Sequence, residues 1–140
     1  KLEASILETY KEPKISDSTY TIDDHPNLLN AQNKEIFEEF RKEIMSLDPN
    51  ITEEFLKQYV AYKAETNFVD IVPQVKNIKV YINMPLNELE DSKGLCRDVS
   101  NIGTWGNGDT EIELNSMDDI PYIVGLARQT LEKQFGNEID

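Results

Sequence analysis

Three short runs of β-branched and aromatic residues follow one another closely, and they constrain the fold of this chain more than any other feature. The runs are QYVAYKA at residues 58–64, NFVDIV at 67–72 and NIKVYIN at 77–83, separated by Glu65-Thr66 and by residues 73–76. Valine, isoleucine, tyrosine and phenylalanine favour pleated strands, and short polar or proline-containing breaks are typical of turns. The runs therefore predict an antiparallel meander.

Alternation within the third run indicates that the sheet has one buried face. Ile78, Val80 and Ile82 alternate with residues of the wet face, which carries Tyr81. The segment from Thr110 to Leu114 alternates in the same way, so it predicts a fourth strand.

Two segments with apolar residues at helical spacing lie on either side of the strands. The first begins near Asn33 and ends near Leu47, and the second runs from Ile120 to Phe135, with Gly136 as its predicted terminator. We therefore predict an α+β fold, a four-stranded antiparallel sheet with an N-terminal and a C-terminal amphipathic helix packed on one face.

The length of 140 residues and the hydrophobic content of 39% are those of one globular domain. Residues 1–24 mix charges with Ser, Thr and Pro without a period, so we predict a linker or loosely attached arm there and a single α+β domain at 25–140. The chain begins with Lys1 rather than methionine, and we expect a C-terminal fragment of a longer protein.

Residue types that support metal, membrane or nucleophilic chemistry are scarce. The one cysteine, Cys96, and the one histidine, His25, provide neither a disulfide nor a zinc site, and no apolar run approaches the roughly 20 residues of a membrane span. We expect a cytoplasmic protein with no cofactor, no metal, no membrane partner and no catalytic residue. Cys96 is expected to be a small buried residue, and His25 to lie in the loosely organised N-terminal region.

The formal net charge of −13 argues against a broad phosphate-binding surface. Lysine and arginine count 6 against 13 acids in residues 1–56, 6 against 7 in 57–110, and 2 against 7 in 111–140. The acid excess lies at the two ends, which leaves two interpretations open. Either acidic helix faces keep the domain soluble, or the near-neutral middle contains a local basic face.

The stretch GTWGNGD at 103–109 holds three of the six glycines and the only tryptophan. As a structural corner, Asn107-Gly108 suits a turn that needs positive φ, and Trp105 is a core residue. As a binding site, the glycines leave one indole face open beside Asn107 and Asp109. A phosphate loop fits poorly, because the stretch has no lysine and precedes a strand.

The candidate binding residues come from three segments of the near-neutral middle. They are Tyr62, Lys63, Arg97, Asp98, Trp105, Asn107 and Asp109. Aromatic rings stack and basic side chains meet anions, which suits a nucleotide, a nucleic-acid end or an acidic peptide. Tyr59 and Tyr62 are expected to point to opposite faces of a strand, so at most one of them belongs to a shared pocket. An alternative stays open for Arg97-Asp98, as a structural ion pair that holds the loop.

Several of these stretches carry a resemblance. YVAYK with NFVDIVPQ, then IKVYIN, RDVSNIGTWGNGDTEIEL and GLARQTLEK resemble a bacterial and archaeal domain family of unknown function, often labelled "predicted transport protein". The resemblance covers roughly residues 20–134, and it implies a C-terminal appendage of restriction-type nuclease and defence-associated proteins. Thr104 stands where the family commonly has histidine, so a general base at this position is not implied.

The sequence thus predicts a noncatalytic recognition or interaction domain, the C-terminal accessory of a longer defence-associated protein. The nuclease-like domains of its own longer chain are the expected partners, with a nucleic acid or nucleotide as a further possibility. The first alternative is a small-molecule or nucleotide-binding sensor with a pocket around Trp105. The second is an unrecognised nuclease or hydrolase, although the acid-x-Lys pattern of restriction-type nucleases is missing.

Overall fold

The computed structural model describes residues 20–102 and 108–139, and these residues form an antiparallel sheet with two helices. Within them, six strands make one sheet in the order β1-β2-β3-β4-β6-β5. The strands are β1 (Thr52–Phe55), β2 (Val60–Lys63), β3 (Asn67–Pro73), β4 (Ile78–Ile82), β5 (Arg97–Asp98) and β6 (Thr110–Leu114). Each neighbouring pair is antiparallel, as the meander and the fourth predicted strand require.

The prediction of four strands was wrong, because it missed the two strands at the sheet edges, β1 and β5. β1 has the sequence TEEF, with all four residues half-buried, so it shows no alternation of apolar and polar residues. β5 consists of two exposed residues, which is too short for any periodicity. Both strands form because a longer neighbour offers a ladder of backbone groups, which their own sequences do not reveal.

The two helices are α1 (Lys34–Met45) and α2 (Ile120–Ile139). The α1 residues Ile36, Phe37, Phe40 and Ile44 are buried, as expected for a stripe at helical spacing. Both helices share the large core cluster with alternate strand residues of one sheet face, here called the core face, which include Val60, Val69, Ile71, Ile78, Val80, Ile82, Ile112 and Leu114. The helix does not end at Gly136 as predicted, because α2 continues to Ile139.

The other sheet face, here called the second face, carries the residues that alternate with those of the core face. Val72, Tyr81 and Val99 form a small buried cluster there, with Tyr59 packed against it. Tyr59 and Tyr62 do lie on opposite faces, since Tyr62 belongs to the core cluster. The second face therefore combines a small apolar centre with the charged residues described below.

The segment before α1 is folded onto the sheet. Short 3-10 helices occupy Ile22–Asp24 and Pro26–Leu28, and Leu28 is fully buried. His25 is also buried, and its Nε2 lies 2.6 Å from the carbonyl oxygen of Leu56. The expectation of a loosely placed His25 was therefore wrong, because its ring packs 6.1 Å from that of Phe55. The predicted boundary at residue 24 stays a prediction.

Gly108 has a steric reason to be glycine that the sequence analysis did not identify. A Cβ at this position would lie 2.5 Å from the carbonyl oxygen of Ile82, so the backbone of β4 leaves no room for a side chain. The predicted turn at Asn107-Gly108 includes Asn107, which lies outside the described residues, so the turn stays a prediction.

Across residues 20–102 and 108–139, neither helix is long and apolar enough to cross a membrane.

Candidate functional site

The structure places Tyr62 in the core and Lys63 on the second face. Tyr62 is fully buried, donates a hydrogen bond to Glu53 Oε2 at 2.8 Å and meets the ring of Phe40 edge-on at 6.2 Å. Burial is the largest cause that raises its pKa, followed by the charge of Glu53. Lys63 Nζ pairs with Glu54 Oε1 at 2.9 Å, and this hydrogen bond raises the lysine pKa. Tyr62 therefore has no surface from which to contact a ligand in solution.

Arg97 and Asp98 do not pair with each other. Arg97 Nε donates to Glu111 Oε1 at 3.1 Å, whereas Asp98 Oδ1 accepts from the backbone N–H of Ser100 at 2.9 Å and from its hydroxyl at 2.7 Å. The bonds from Ser100 lower the pKa of Asp98. Successive strand residues point to opposite faces, so the interpretation as an Arg97-Asp98 ion pair is replaced by two separate contacts.

Asp98 and Asp109 are the two predicted site residues that share a cavity. Its volume is about 260 Å³, and Pro85, Leu86, Asn87 and Ser100 complete its lining. Trp105 and Asn107 lie outside the described residues, between the exposed Ile102 and the buried Gly108. The structure therefore does not bring the predicted site residues together in one site. Asp98 and Asp109 line the same cavity, whereas Tyr62, Lys63 and Arg97 each lie in a different environment.

A carboxylate that the sequence analysis missed organises the charges near Arg97. Glu111 is 6% exposed and accepts a hydrogen bond from Tyr81 at 2.8 Å in addition to that from Arg97, while Lys79 Nζ lies 3.7 Å away. Burial, and then the bond to Glu111, raises the pKa of Tyr81. The alternation of IKVYI and TEIEL puts Tyr81 and Glu111 on the same face, which is the signal that could have identified the pair.

A groove of about 460 Å³ opens beside this carboxylate, along the outer edge of β6. Its lining residues are Lys79, Leu95, Arg97, Glu111, Ile112, Glu113, Asn115 and Asp119. The side chains of Leu95 and Arg97 are exposed, at 54% and 59%. A smaller crevice lined by Lys93, Asp118, Tyr122 and Ile123 adjoins the groove and shares Leu95, Ile112, Glu113 and Asp119 with it.

The groove exists because the residues that precede β5 turn away from β6 and do not pair with it. Asp91 draws it away: its carboxylate accepts the N–H groups of Leu95 at 3.2 Å and Cys96 at 2.8 Å, and the hydroxyl of Tyr122 donates to it as well. Burial alone would raise the pKa of Asp91, but the hydrogen bonds from Tyr122 and the two amides outweigh it and lower the pKa. Residues before Arg97 consequently cannot pair with β6.

Three charged groups at the groove contact one another, because Glu111 is paired with both Arg97 and Lys79. The thiol of the adjacent Cys96 has its pKa raised to about 12 by burial and by Asp91. In residues 20–102 and 108–139, no group of three or more His, Cys, Asp or Glu side chains is arranged to hold a metal ion. The arrangement can therefore provide backbone groups, an apolar lining and fixed charges of both signs.

Comparisons with known proteins identify relatives without a described activity. Residues 22–130 match the family model of a domain of unknown function (DUF5655). An "Uncharacterized protein" of Haemophilus influenzae is 43% identical over 99 residues, which are 71% of this chain and 33% of the relative. The chain thus spans about a third of the length of that relative. No solved structure matches this chain.

Proposed function

This chain belongs to the DUF5655 family of unknown function, and we propose that it is a noncatalytic recognition domain that binds a segment of another protein in the groove along β6. The observation that carries the proposal is the outer edge of β6 beyond the two residues of β5, which no strand within residues 20–102 and 108–139 covers and beside which the groove of about 460 Å³ lies. Open strand edges and clefts are the places where proteins bind extended chains.

The charges of the second face support a protein partner rather than a nucleic acid. Phosphate recognition needs lysines and arginines that are free to replace counterions. Arg97 and Lys79 instead share Glu111, and Lys63 is paired with Glu54. Each of these cations already has a carboxylate partner on the same face, and the chain carries 27 acids against 14 basic residues.

The engaged state of the reactive groups supports a noncatalytic role. A general base needs a carboxylate oxygen within reach of the substrate, but Oε1 of Glu111 contacts Arg97, and Oε2 contacts Tyr81 and Lys79. A cysteine nucleophile needs its thiolate form, and a pKa of about 12 keeps the Cys96 thiol protonated at neutral pH.

The match to the relative supports the proposal that this domain is one part of a longer protein, because the matched residues make up only 33% of that relative. We propose the role of a C-terminal accessory in a defence-associated, restriction-type protein, on the strength of the resemblance given above. Nuclease-like domains of the same longer protein are then the proposed partners, and the cytoplasm is the proposed location.

Site-specific photo-crosslinking tests the proposed function. A photoreactive amino acid replaces Leu95 in the groove, and in a matched control it replaces Glu65, which is exposed in the turn between β2 and β3. We expect the Leu95 position to capture one protein segment, identified by mass spectrometry, which the Glu65 position does not capture. Equal adducts from both positions, or capture of nucleic acid at Leu95, would refute the proposal.

A small-molecule or nucleotide-binding sensor is the second candidate, and the cavity of Asp98 and Asp109 favours it, because its lining residues Ser100 and Asp109 flank the stretch with Trp105 in the sequence. Tryptophan emission during titration with a nucleotide panel tests this candidate. A saturable shift that is lost in Asp109→Ala would support the sensor, and unchanged emission throughout the panel would reject it.

A further inference from the structure

The outer edge of β6 offers backbone hydrogen-bonding groups beyond the end of β5. The N–H of Val99 donates to the carbonyl oxygen of Asp109 at 2.8 Å, so the backbone of Asp109 faces β5. In antiparallel pairs this orientation repeats at every second residue, so the backbones of Glu111 and Glu113 face the same side. β5 pairs only with Glu111 and Thr110, which leaves Glu113 beyond the last rung of the ladder.

The groove occupies the space into which a longer β5 would extend. Residue 95 would stand opposite Glu113 if the register of Arg97 with Glu111 continued, but Asp91 holds the N–H of Leu95. A chain from another molecule or domain can take this place without displacing any strand. Two backbone hydrogen bonds with Glu113 would then extend the existing ladder.

We propose that an extended partner segment adds to β6 as an antiparallel strand opposite Glu113, and that it carries a lysine or arginine whose side chain pairs with the Glu113 carboxylate. This proposal rests on the proposed function and names the chemistry of its partner. Directly opposite residues of an antiparallel pair project from the same face, so that basic side chain and Glu113 are neighbours.

Charge complementarity decides for a basic rather than an acidic residue at this position. Glu113 is exposed, and the ion pairs of the neighbouring Lys79 and Arg97 go to Glu111 instead. Within residues 20–102 and 108–139, no ion pair to the Glu113 carboxylate is found. A basic side chain opposite Glu113 therefore meets a carboxylate of opposite charge, whereas an acidic side chain there would be repelled by it.

The residues next to the basic one should be apolar. Neighbours in a strand point to the opposite face, which here is the core face. Ile112 lines the groove on that side, and Tyr122 and Ile123 line the adjoining crevice. In the expected partner segment, apolar residues that point to the core face therefore alternate with residues that point to the second face. The central residue on the second face is the basic one.

Capped synthetic peptides of alternating valine and threonine test the proposal, with lysine, alanine or glutamate at the central threonine position. Binding to the 140-residue chain is followed by amide chemical shifts in NMR spectra. We expect the lysine peptide to bind roughly two- to fivefold more tightly than the alanine peptide, and the glutamate peptide to bind more weakly than both. The shifts should centre on Leu95, Arg97 and residues 111–115.

Two variants separate the charge of Glu113 from the charge of the whole chain. Glu113→Lys should reverse the order, so that the glutamate peptide binds best. Glu132→Lys makes the same change in net charge at an exposed position of α2 and should leave the order unchanged. The proposed charge pairing is overturned if both variants alter the order equally, or if neither does.

Methylated peptides test the strand addition itself. Methylation of the central lysine amide removes the N–H that would donate to Glu113, and we expect it to weaken binding roughly two- to tenfold. Methylation of the next amide, which points away from β6, should change binding little. Equal effects, or no shifts near residues 111–115, would overturn strand addition. If crosslinking from Leu95 still identifies a protein segment, the proposed function survives this failure; if it does not, both fail.

Discussion

Replacing Gly108 with alanine tests how strictly the approach of two strands limits this fold. An added Cβ would lie 2.5 Å from the carbonyl oxygen, 2.6 Å from the carbonyl carbon and 2.9 Å from the nitrogen of Ile82. All three atoms belong to the backbone of β4, so no side-chain rotation can relieve the contact. Restoring an ordinary contact of 3.4 Å to the oxygen requires a displacement of about 0.9 Å.

That displacement has a cost that can be bounded. Overpacking of a well-packed site costs about 1–3 kcal/mol, and the stiffer unfolded chain of an alanine variant returns about 0.4–1 kcal/mol. Moving Gly108 also strains the neighbouring pair of Thr110 with Ile82 and the hydrogen bond from the Thr110 hydroxyl to Met84 O at 2.8 Å. We therefore expect Gly108→Ala to lower the free energy of unfolding by about 2 kcal/mol.

Urea denaturation followed by circular dichroism measures the effect, with Gly125→Ala as the control. Gly125 lies inside α2 and has nothing within 4 Å of its added Cβ, so alanine there should raise the free energy of unfolding by about 0.5–1 kcal/mol. The two substitutions make the same chemical change and should have opposite signs. A Gly108→Ala variant as stable as the natural protein would refute the steric argument.

Three further predictions concern the hydrogen bonds that support the groove. Tyr81→Phe should lower the free energy of unfolding by about 1 kcal/mol in urea denaturation, because Glu111 loses a buried donor. Asp91→Asn should be less stable than the natural protein at neutral pH. The folded-state pKa of Asp91 is lowered, so the ionised carboxylate stabilises the fold above the unfolded pKa of about 4. This stabilisation is lost as the pH falls through the folded pKa. The urea midpoints of the two proteins should therefore converge in acid. Cys96 should react with iodoacetamide far more slowly in the folded chain at pH 8 than in urea, since its folded pKa is about 12; equal rates would contradict the burial of the thiol.

The centre of the sheet could be predicted from the sequence, and its edges could not. β2, β3, β4 and β6 combine favourable residue types with turn signals, so local patterns identify them. β1 carries Glu53, whose carboxylate is buried only because Arg41 and Tyr62 bind it, 12 and 9 residues away. A pattern of neighbouring residues contains no information about such partners, so the sequence TEEF does not predict a strand.

The same distinction between local and distant partners explains the outcome for the candidate site. Asp98 accepts from Ser100, two residues away, which is a turn that the sequence suggests by itself. Arg97 depends on Glu111, 14 residues away, and the groove depends on Asp91 and Tyr122, which are 31 residues apart. Residue types suggested a basic side chain near an aromatic one, but only the register of β5 with β6 determines what Arg97 contacts.

The engagement of Arg97 also bears on the kind of ligand that this face can accept. Arg97 contacts Glu111 through Nε, so an anion held by the two terminal nitrogens of Arg97 would lie close to the Glu111 carboxylate and be repelled by it. A peptide backbone that pairs with Glu113 would leave the pairs of Glu111 intact. For this reason we favour the β6 edge over the charged face beside it as the place of recognition, and a basic, extended segment over a phosphate as the ligand.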